Sequence, residues 1–299
     1  MNKEELTALV AQLLEQMDPQ VKGVYTPRQP GPEKKDPGYG DGDFVPDVTA
    51  LDLRKLYLVE KPENESQFRA MKEKTPARLG MGKAGARYKT LTMLRFRADH
   101  AAAQDAVFSE IDGDFAREHD LLPTKTRCDS KDEYLTRPDL GRCFDEHNAK
   151  TIRGVIDRPP RVQIVIGDGL SAAAIRANAM DTLAAMKDGL KARGIQTGKD
   201  IFVKYCRVGA GDAVGDITGC ELVCVLVGER PGLVTDKSMS AYITYKPHTG
   251  VSESSRTVVS NIHAQGTPAV EAGAYIAELI ETILKKKVSG VGLHLEAAQ

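Results

Sequence analysis

The sequence predicts an α/β protein in which residues 156–299 form a mostly parallel sheet, doubly wound by helices on both faces. Short aliphatic runs, such as 161–166 and 220–227, are typical of strands buried on both sides. Helical patterns alternate with these runs, as expected when crossover helices join parallel strands. This arrangement is Rossmann-like in type, and it follows a mainly helical domain over 50–155.

The first 17 residues predict an amphipathic helix. Asn2 and Glu5 have the form of a capping box. Residues 18–49 hold six of the 15 prolines of the chain and predict a linker. Because the linker frees the helix, docking on another protein is favoured over packing on its own domain. A membrane-surface anchor is disfavoured because the polar face is as acidic as it is basic. The apolar stripe consists of Leu6, Leu9, Val10, Leu13, Leu14 and Met17.

The region 50–155 is predicted to be mainly helical and has a basic stretch. Between Arg69 and Arg97 there are nine Lys or Arg side chains and one acid, Glu73. A solvated face or a partner protein explains this stretch better than nucleic acid, since the whole chain is close to neutral. Residues 80–85 match the dinucleotide motif G-x-G-x-x-G, but no strand precedes them, so a nucleotide site there is disfavoured.

The elements predicted within 156–299 alternate between strand and helix. A helix follows the first strand, with Ile175, Ala179 and Leu183 on one face. Pro268 occupies the first position of a long final helix that ends at residues 285–287. The predicted strands lie at 161–166, 201–208, 220–227 and 239–245.

Polar or glycine-rich residues follow three of these strands, at 168–169, 207–209 and 228–232. Ligands of open parallel sheets bind beyond the carboxyl ends of the strands, so these residues predict a ligand-binding shelf. Tight turns between strands and helices are the plainer interpretation. Asp168 disfavours a dinucleotide at 167–172 because its carboxylate repels phosphate. The alternative function is a free-standing nucleotide-binding α/β enzyme that uses Asp168 or His263.

Composition limits the classes of function. The 299 residues include 41 basic and 42 acidic side chains, which gives a formal net charge of −1. This balance argues against partners such as nucleic acid or a membrane surface. No aliphatic run approaches the roughly 20 residues of a membrane helix, and the start of the chain lacks the pattern of a secretory signal. Five scattered cysteines favour a reducing, cytoplasmic location over a disulfide framework.

The histidines and cysteines do not have the spacing of metal ligands, and no metal site is predicted. Cys220 and Cys224 lie on one predicted strand, where buried cysteines behave as small apolar residues. His263 lies just before the final helix and is expected to be a packed, hydrogen-bonded histidine rather than a base. The sequence therefore predicts no catalytic residue.

Five multi-residue strings resemble the family of ethanolamine ammonia-lyase small subunits (light chains). They occur in the family's order, and the similarity covers roughly residues 50–290. The strings are Leu94-Arg-Phe-Arg-Ala-Asp-His100, Tyr134-Leu-Thr-Arg-Pro-Asp-Leu-Gly-Arg142, Gly167-Asp-Gly-Leu-Ser171, Leu226-Val-Gly-Glu-Arg-Pro-Gly-Leu233 and Ser260-Asn-Ile-His-Ala-Gln-Gly-Thr-Pro-Ala-Val-Glu-Ala272.

The resemblance implies a subunit of an adenosylcobalamin-dependent lyase that converts ethanolamine to acetaldehyde and ammonia by a radical mechanism. It implies that the substrate site and the radical chemistry lie on a large subunit, a (β/α)₈ barrel, and that this chain closes the crevice over the cobalamin. Carried over by position, the cobalamin contacts fall at Val208, Glu229 and Val258. Relatives can have cysteine at the position of Val258. A cobalamin contact made by the backbone would be kept with valine, whereas a contact made by the thiol would be lost.

The resemblance also bears on the cofactor's form and on location. Cobalamin is a macrocycle fringed with amides, so a carboxylate such as Glu229 suits it by accepting an amide N–H. The chain lacks an Asp-x-His-x-x-Gly string, which implies by family analogy that dimethylbenzimidazole stays on cobalt. The first 50 residues are similar in style to peptides that direct cargo into bacterial microcompartments. Shell or cargo proteins are therefore expected partners of residues 1–17.

Overall fold

The computed structural model describes residues 47–75 and 77–293. The predicted helix over residues 1–17 and nearly all of the predicted linker over 18–49 lie outside these ranges. The chain divides into two compact units between Asp99 and His100. None of the helices in the described ranges is long and apolar enough to span a membrane.

The first unit contains short elements around a small apolar core. Leu53, Leu56 and Met81 form that core. Arg95 donates hydrogen bonds to the carbonyls of residues 48, 49 and 51, which tie this segment to the helix that carries Arg95. The described elements are a 3-10 helix at Val48–Ala50, helix α1 (Glu65–Glu73), the hairpin strands β1 (Lys83–Ala84) and β2 (Arg87–Tyr88), and helix α2 (Thr90–Phe108), which ends in the second unit.

The glycines of the G-x-G-x-x-G string shape turns in this unit. Gly80, Gly82 and Gly85 have φ of 72°, 65° and 62°, a region that favours glycine. A Cβ at Gly82 would lie only 2.4 Å from the carbonyl oxygen of Leu58. The second half of the string forms the start of a hairpin, with β1 at Lys83–Ala84, and does not open the long helix of a dinucleotide site, so its glycines serve backbone geometry.

The second unit contains a six-stranded mixed sheet in the order β3-β5-β4-β6-β7-β8. The first four strands in that order are parallel, and β7 is antiparallel to both of its neighbours. The predicted α/β class with a mostly parallel sheet is therefore confirmed. The strands are β3 (Leu122–Lys125), β4 (Val162–Asp168), β5 (Ile201–Lys204), β6 (Leu222–Gly228), β7 (Met239–Tyr245) and β8 (Arg256–Ile262).

Helices cover both faces of this sheet. Alternate side chains of β4 and β6 point to opposite faces, so each strand contributes to two apolar cores. We call the side bearing Val223, Val225 and Val227 the α7 face, after helix α7 (Ala210–Thr218), which packs there. The opposite side packs on helices α6 (Ala172–Ala192) and α8 (Ala269–Lys286). The helices are α3 (Asp114–Glu118), α4 (Lys131–Thr136), α5 (Glu146–Arg153), α6 (Ala172–Ala192), α7 (Ala210–Thr218) and α8 (Ala269–Lys286), with 3-10 helices at Leu140–Arg142 and Glu253–Ser255.

The structure differs from the sequence expectations in three strands. β3 comes from the region predicted to be mainly helical, and β8 was not predicted. The predicted strand 201–208 ends at Lys204, because Tyr205 turns the chain with a φ of 58°. β7 is antiparallel to β6 because the connecting segment 229–238 contains no crossover helix. Helix α6 starts at Ala172, soon after the first predicted strand, and α8 starts at Ala269, one residue after the predicted first position at Pro268, which is the N-cap.

Candidate functional site

The carboxyl end of β4 is filled by the protein's own chain. Asp168 is fully buried, and its Oδ2 accepts a hydrogen bond of 2.9 Å from the Ile111 amide. Its Oδ1 has no partner among the described residues, and burial raises the pKa of this carboxyl group. Lys131 Nζ covers the next residue by donating to the Gly169 carbonyl at 3.0 Å. The expectation of an open shelf at 168–169 is therefore wrong, and Asp168 is inaccessible to a nucleotide.

The end of β5 carries a packed polar cluster. Tyr205 donates a hydrogen bond of 2.7 Å to Glu110, and Lys204 forms a 2.8 Å ion pair with the same carboxylate. These contacts hold the chain as it leaves the strand. The following residues turn toward α7, so Val208 lies in the loop before that helix rather than at the end of a strand.

Val208 is half-buried and packs against the core of the α7 face. Its carbonyl accepts a hydrogen bond of 3.0 Å from the Gly211 amide in the first turn of α7. Its own amide N–H donates to no acceptor in the described part of the chain. This loop therefore offers a backbone donor beside an apolar side chain.

Glu229 is the first residue after β6, where the sequence places it. Strand alternation puts its side chain on the α7 face, in line with Val225 and Val227. The Glu229 amide donates to the Ser238 carbonyl at 2.9 Å, and Oε1 accepts a hydrogen bond of 2.7 Å from the Tyr242 hydroxyl. The second carboxylate oxygen accepts no hydrogen bond within 47–75 and 77–293 and is left for another donor.

Val258 lies in β8 and continues a row of side chains across the α7 face. The register pairs Val225 with Tyr242, and Tyr242 with Val258. Exposure increases along this row, from 1% at Val225 to 47% at Val258, and Tyr242 is half-buried. We call Glu229, Tyr242 and Val258 the platform. It is an accessible surface of one carboxylate, one phenol and one aliphatic side chain.

A buried ion pair fixes β8 next to the platform. Arg256 donates to both oxygens of Asp212, at 2.7 and 2.8 Å, and their side chains are only 3% and 7% exposed. Arg256 also donates to Glu253 at 2.7 Å. Asp212 lies in the first turn of α7, so the pair joins this helix to the strand that carries Val258.

Burial and the neighbouring carboxylate set the protonation of Tyr242. Removal of the ring from water raises the pKa of Tyr242, and its hydrogen bond to Glu229 raises that pKa further. The hydroxyl therefore keeps its proton at neutral pH and acts as the donor to Glu229.

The other candidate residues are packed within the fold. Cys220 and Cys224 are buried, as predicted. The His263 ring accepts a hydrogen bond of 3.3 Å from the Gln265 amide, as expected for a hydrogen-bonded histidine. Within the described ranges, His, Cys, Asp and Glu side chains form no group that could bind a metal ion.

Roles for Tyr242, Asp212 and Arg256 were not predicted from the sequence. All three lie on segments where only an apolar pattern or none was recognised. Tyr242 and Arg256 lie on neighbouring strands. Their place beside Glu229 and Asp212 could be predicted only if the register between those strands were known.

The groups on the platform and in the Val208 loop fit cobalamin. A corrin fringed with amides needs hydrogen-bond acceptors and donors of low charge around an apolar surface. The free oxygen of Glu229 suits an amide N–H, the free N–H of Val208 suits an amide carbonyl, and Val258 supplies apolar contact. These three residues would hold the cofactor.

Comparisons with known proteins agree on one family. The family model described as "Ethanolamine ammonia-lyase light chain (EutC)" matches residues 65–294. The chain is 53% identical over 294 residues to the ethanolamine ammonia-lyase small subunit of Clostridium perfringens, covering 98% of this chain and 100% of that protein. It is 52% identical over 293 residues to that of Clostridioides difficile, covering 98% and 100%.

A third relative comes from a different genus. The chain is 56% identical over 249 residues to the ethanolamine ammonia-lyase small subunit of Listeria monocytogenes serovar 1/2a, covering 83% of this chain and 85% of that protein. The family model and the matches to the two clostridial relatives extend across the sheet and the platform. This chain belongs to the ethanolamine ammonia-lyase light chain family and is a lyase subunit.

Proposed function

We propose that this chain binds adenosylcobalamin through the platform and Val208, at the interface with the large subunit of ethanolamine ammonia-lyase. The assembly would convert ethanolamine to acetaldehyde and ammonia. The observation that carries the proposal is the surface shared by Glu229 and Val258, which lie far apart in sequence. The name "small subunit" of the relatives implies a large-subunit partner, and we infer that this partner is a (β/α)₈ barrel.

The residues of this chain act by binding and positioning. When bound, adenosylcobalamin supplies the radical chemistry through homolysis of its cobalt–carbon bond. Glu229 accepts an amide N–H of the corrin fringe, and the Val208 amide donates to a fringe carbonyl. Val258 removes apolar surface from water on the same side. On this proposal the chain supplies no acid or base to the reaction.

Glu229→Ala is expected to weaken adenosylcobalamin binding to the two-subunit complex about tenfold or more. A hydrogen bond to a charged group is worth about 1.5–3 kcal/mol, and 1.4 kcal/mol is tenfold in affinity. A spectroscopic titration of the assembled complex measures this change.

Glu221→Ala is the matched control. Glu221 precedes the opposite end of β6, where it pairs with Arg161 at 3.1 Å. This variant should bind the cofactor as tightly as the unchanged complex. Equal affinity of the Glu229→Ala complex and the unchanged complex would remove Glu229 from the site.

We further propose that residues 1–17 direct the enzyme into a bacterial microcompartment within the cytoplasm. The amphipathic pattern and the proline-rich linker support this role, with shell or cargo proteins as partners.

Deletion of residues 1–17 is expected to leave turnover of ethanolamine unchanged while releasing the enzyme from purified compartments. Deletion of residues 30–40 from the linker is the control and should preserve encapsulation. Encapsulation that survives deletion of residues 1–17 would contradict the targeting role.

We also infer that residues 156–299 are Rossmann-like and doubly wound. The strand order β5-β4-β6 supports this, since the chain moves to one side of β4 and then to the other. Helices on both faces of the sheet support it as well. The proposed domain boundaries, at 50–155 and 156–299, remain predictions.

A further inference from the structure

We propose that Tyr242 is a further cofactor-contacting residue and that its hydroxyl positions the Glu229 carboxylate. The inference rests on the proposed function, because it requires cobalamin on the platform. It adds a residue to which the resemblance assigns no role.

The sheet order places Tyr242 between the two carried-over contacts. Glu229 extends from β6 and Val258 lies on β8, with β7 between these strands. Neighbouring strands lie about 4.8 Å apart, so β6 and β8 are separated by about 10 Å. A macrocycle that touches both residues must pass over β7.

The side chains of β7 leave one candidate for that contact. On the α7 face this strand presents Ser240, Tyr242 and Thr244. Ser240 is fully buried, and Thr244 is buried beneath Arg256, which donates to its hydroxyl at 3.3 Å. Tyr242 is half-buried, so its ring is the part of β7 that a ligand on this surface meets.

The ring and the hydroxyl of Tyr242 have separate tasks. The ring extends from the row shared with Val258 toward Glu229, where its hydroxyl reaches Oε1 at 2.7 Å. It therefore provides a flat apolar support between the two contacts. The hydroxyl holds one carboxylate oxygen and leaves the other directed at the cofactor's amide, which reduces the ordering cost of binding.

Three variants of the assembled two-subunit complex test these tasks, with adenosylcobalamin as the titrant. Tyr242→Phe removes the hydroxyl and is expected to weaken binding about five- to tenfold, while Tyr242→Ala also removes the ring and should weaken it further. In a Glu229→Ala background, Tyr242→Phe should change affinity less than twofold, because the acceptor that the hydroxyl positions is already gone. If the hydroxyl had a purely structural role, Tyr242→Phe would weaken binding in that background as much as it does in the unchanged complex.

Tyr245→Phe is the matched control. Tyr245 lies at the other end of β7, packs toward the α6 and α8 side, and has Glu221 as its neighbouring carboxylate. It should leave cofactor affinity unchanged. Thermal unfolding of each complex checks that Tyr242→Phe, which differs by one oxygen atom, assembles normally.

The outcomes separate this inference from the proposed function. If Glu229→Ala weakens binding but Tyr242→Phe and Tyr242→Ala bind as tightly as the unchanged complex, the inference about Tyr242 is overturned and the proposed function stands. If the unchanged complex itself does not bind adenosylcobalamin, both are overturned. Non-additive losses for Tyr242 and Glu229, with Tyr245→Phe unaffected, would support the inference.

Discussion

Asp212→Ala is expected to lower the free energy of unfolding of this chain by about 3–5 kcal/mol. The substitution removes the bidentate partner of Arg256, whose side chain is 3% exposed, and leaves a guanidinium charge in the protein interior. The hydrogen bonds of Arg256 to Glu253 and Thr244 do not replace the lost carboxylate. Urea denaturation followed by circular dichroism measures the change, since the chain has no tryptophan.

Glu253→Ala is the matched control, because it removes another carboxylate from the same arginine. The Glu253 side chain is 72% exposed, and such ion pairs contribute about 0–1 kcal/mol. A loss for Asp212→Ala no greater than that for Glu253→Ala would contradict the assignment of the buried pair as the anchor between α7 and β8.

Gly228→Ala is expected to destabilise the chain by about 3 kcal/mol, at the upper end of the cost of overpacking. A Cβ at this position would lie 2.1 Å from the carbonyl oxygen of Ser171, which belongs to the backbone at the start of α6. The two segments are also joined by a hydrogen bond of 3.2 Å from the Leu170 amide to the Gly228 carbonyl. Separation of these segments would displace Glu229, so the variant should also bind adenosylcobalamin more weakly.

Gly232→Ala is the control, in the loop that follows β6. Nothing lies within 4 Å of a Cβ built there, and this substitution should change stability little. Thermal unfolding and cofactor titration of both variants compare the effects. If Gly228→Ala unfolded at the same temperature as Gly232→Ala, the close contact between β6 and the start of α6 would not be a constraint on the fold.

The central strands could be predicted because their apolar runs are buried on both faces. β4, β6 and β7 lie within two residues of the predicted positions. β8 was missed because its buried and exposed positions do not alternate strictly and because Arg256, Ser260 and Asn261 give it the polar composition of a loop. β3 contains a proline at its centre and has only four residues, so no local pattern distinguishes it.

The candidate site was predictable where a residue follows a recognised strand. Glu229 follows β6 as expected, whereas the expected opening at Asp168 was wrong because the segment at Ile111 returns from outside the predicted α/β region to cover it. The Tyr242 hydrogen bond and the Asp212–Arg256 pair join strands and helices distant in sequence. Their existence depends on the antiparallel direction of β7 and on the register of β8, which the sequence alone does not provide.

A structure of the two-subunit complex with adenosylcobalamin tests the central claim most directly. The account predicts that an amide of the corrin fringe lies within hydrogen-bond distance of the Glu229 carboxylate and that the macrocycle contacts Val258 across Tyr242. A cofactor located elsewhere, with the α7 face of β7 and β8 exposed to solvent or covered only by protein side chains, would contradict it.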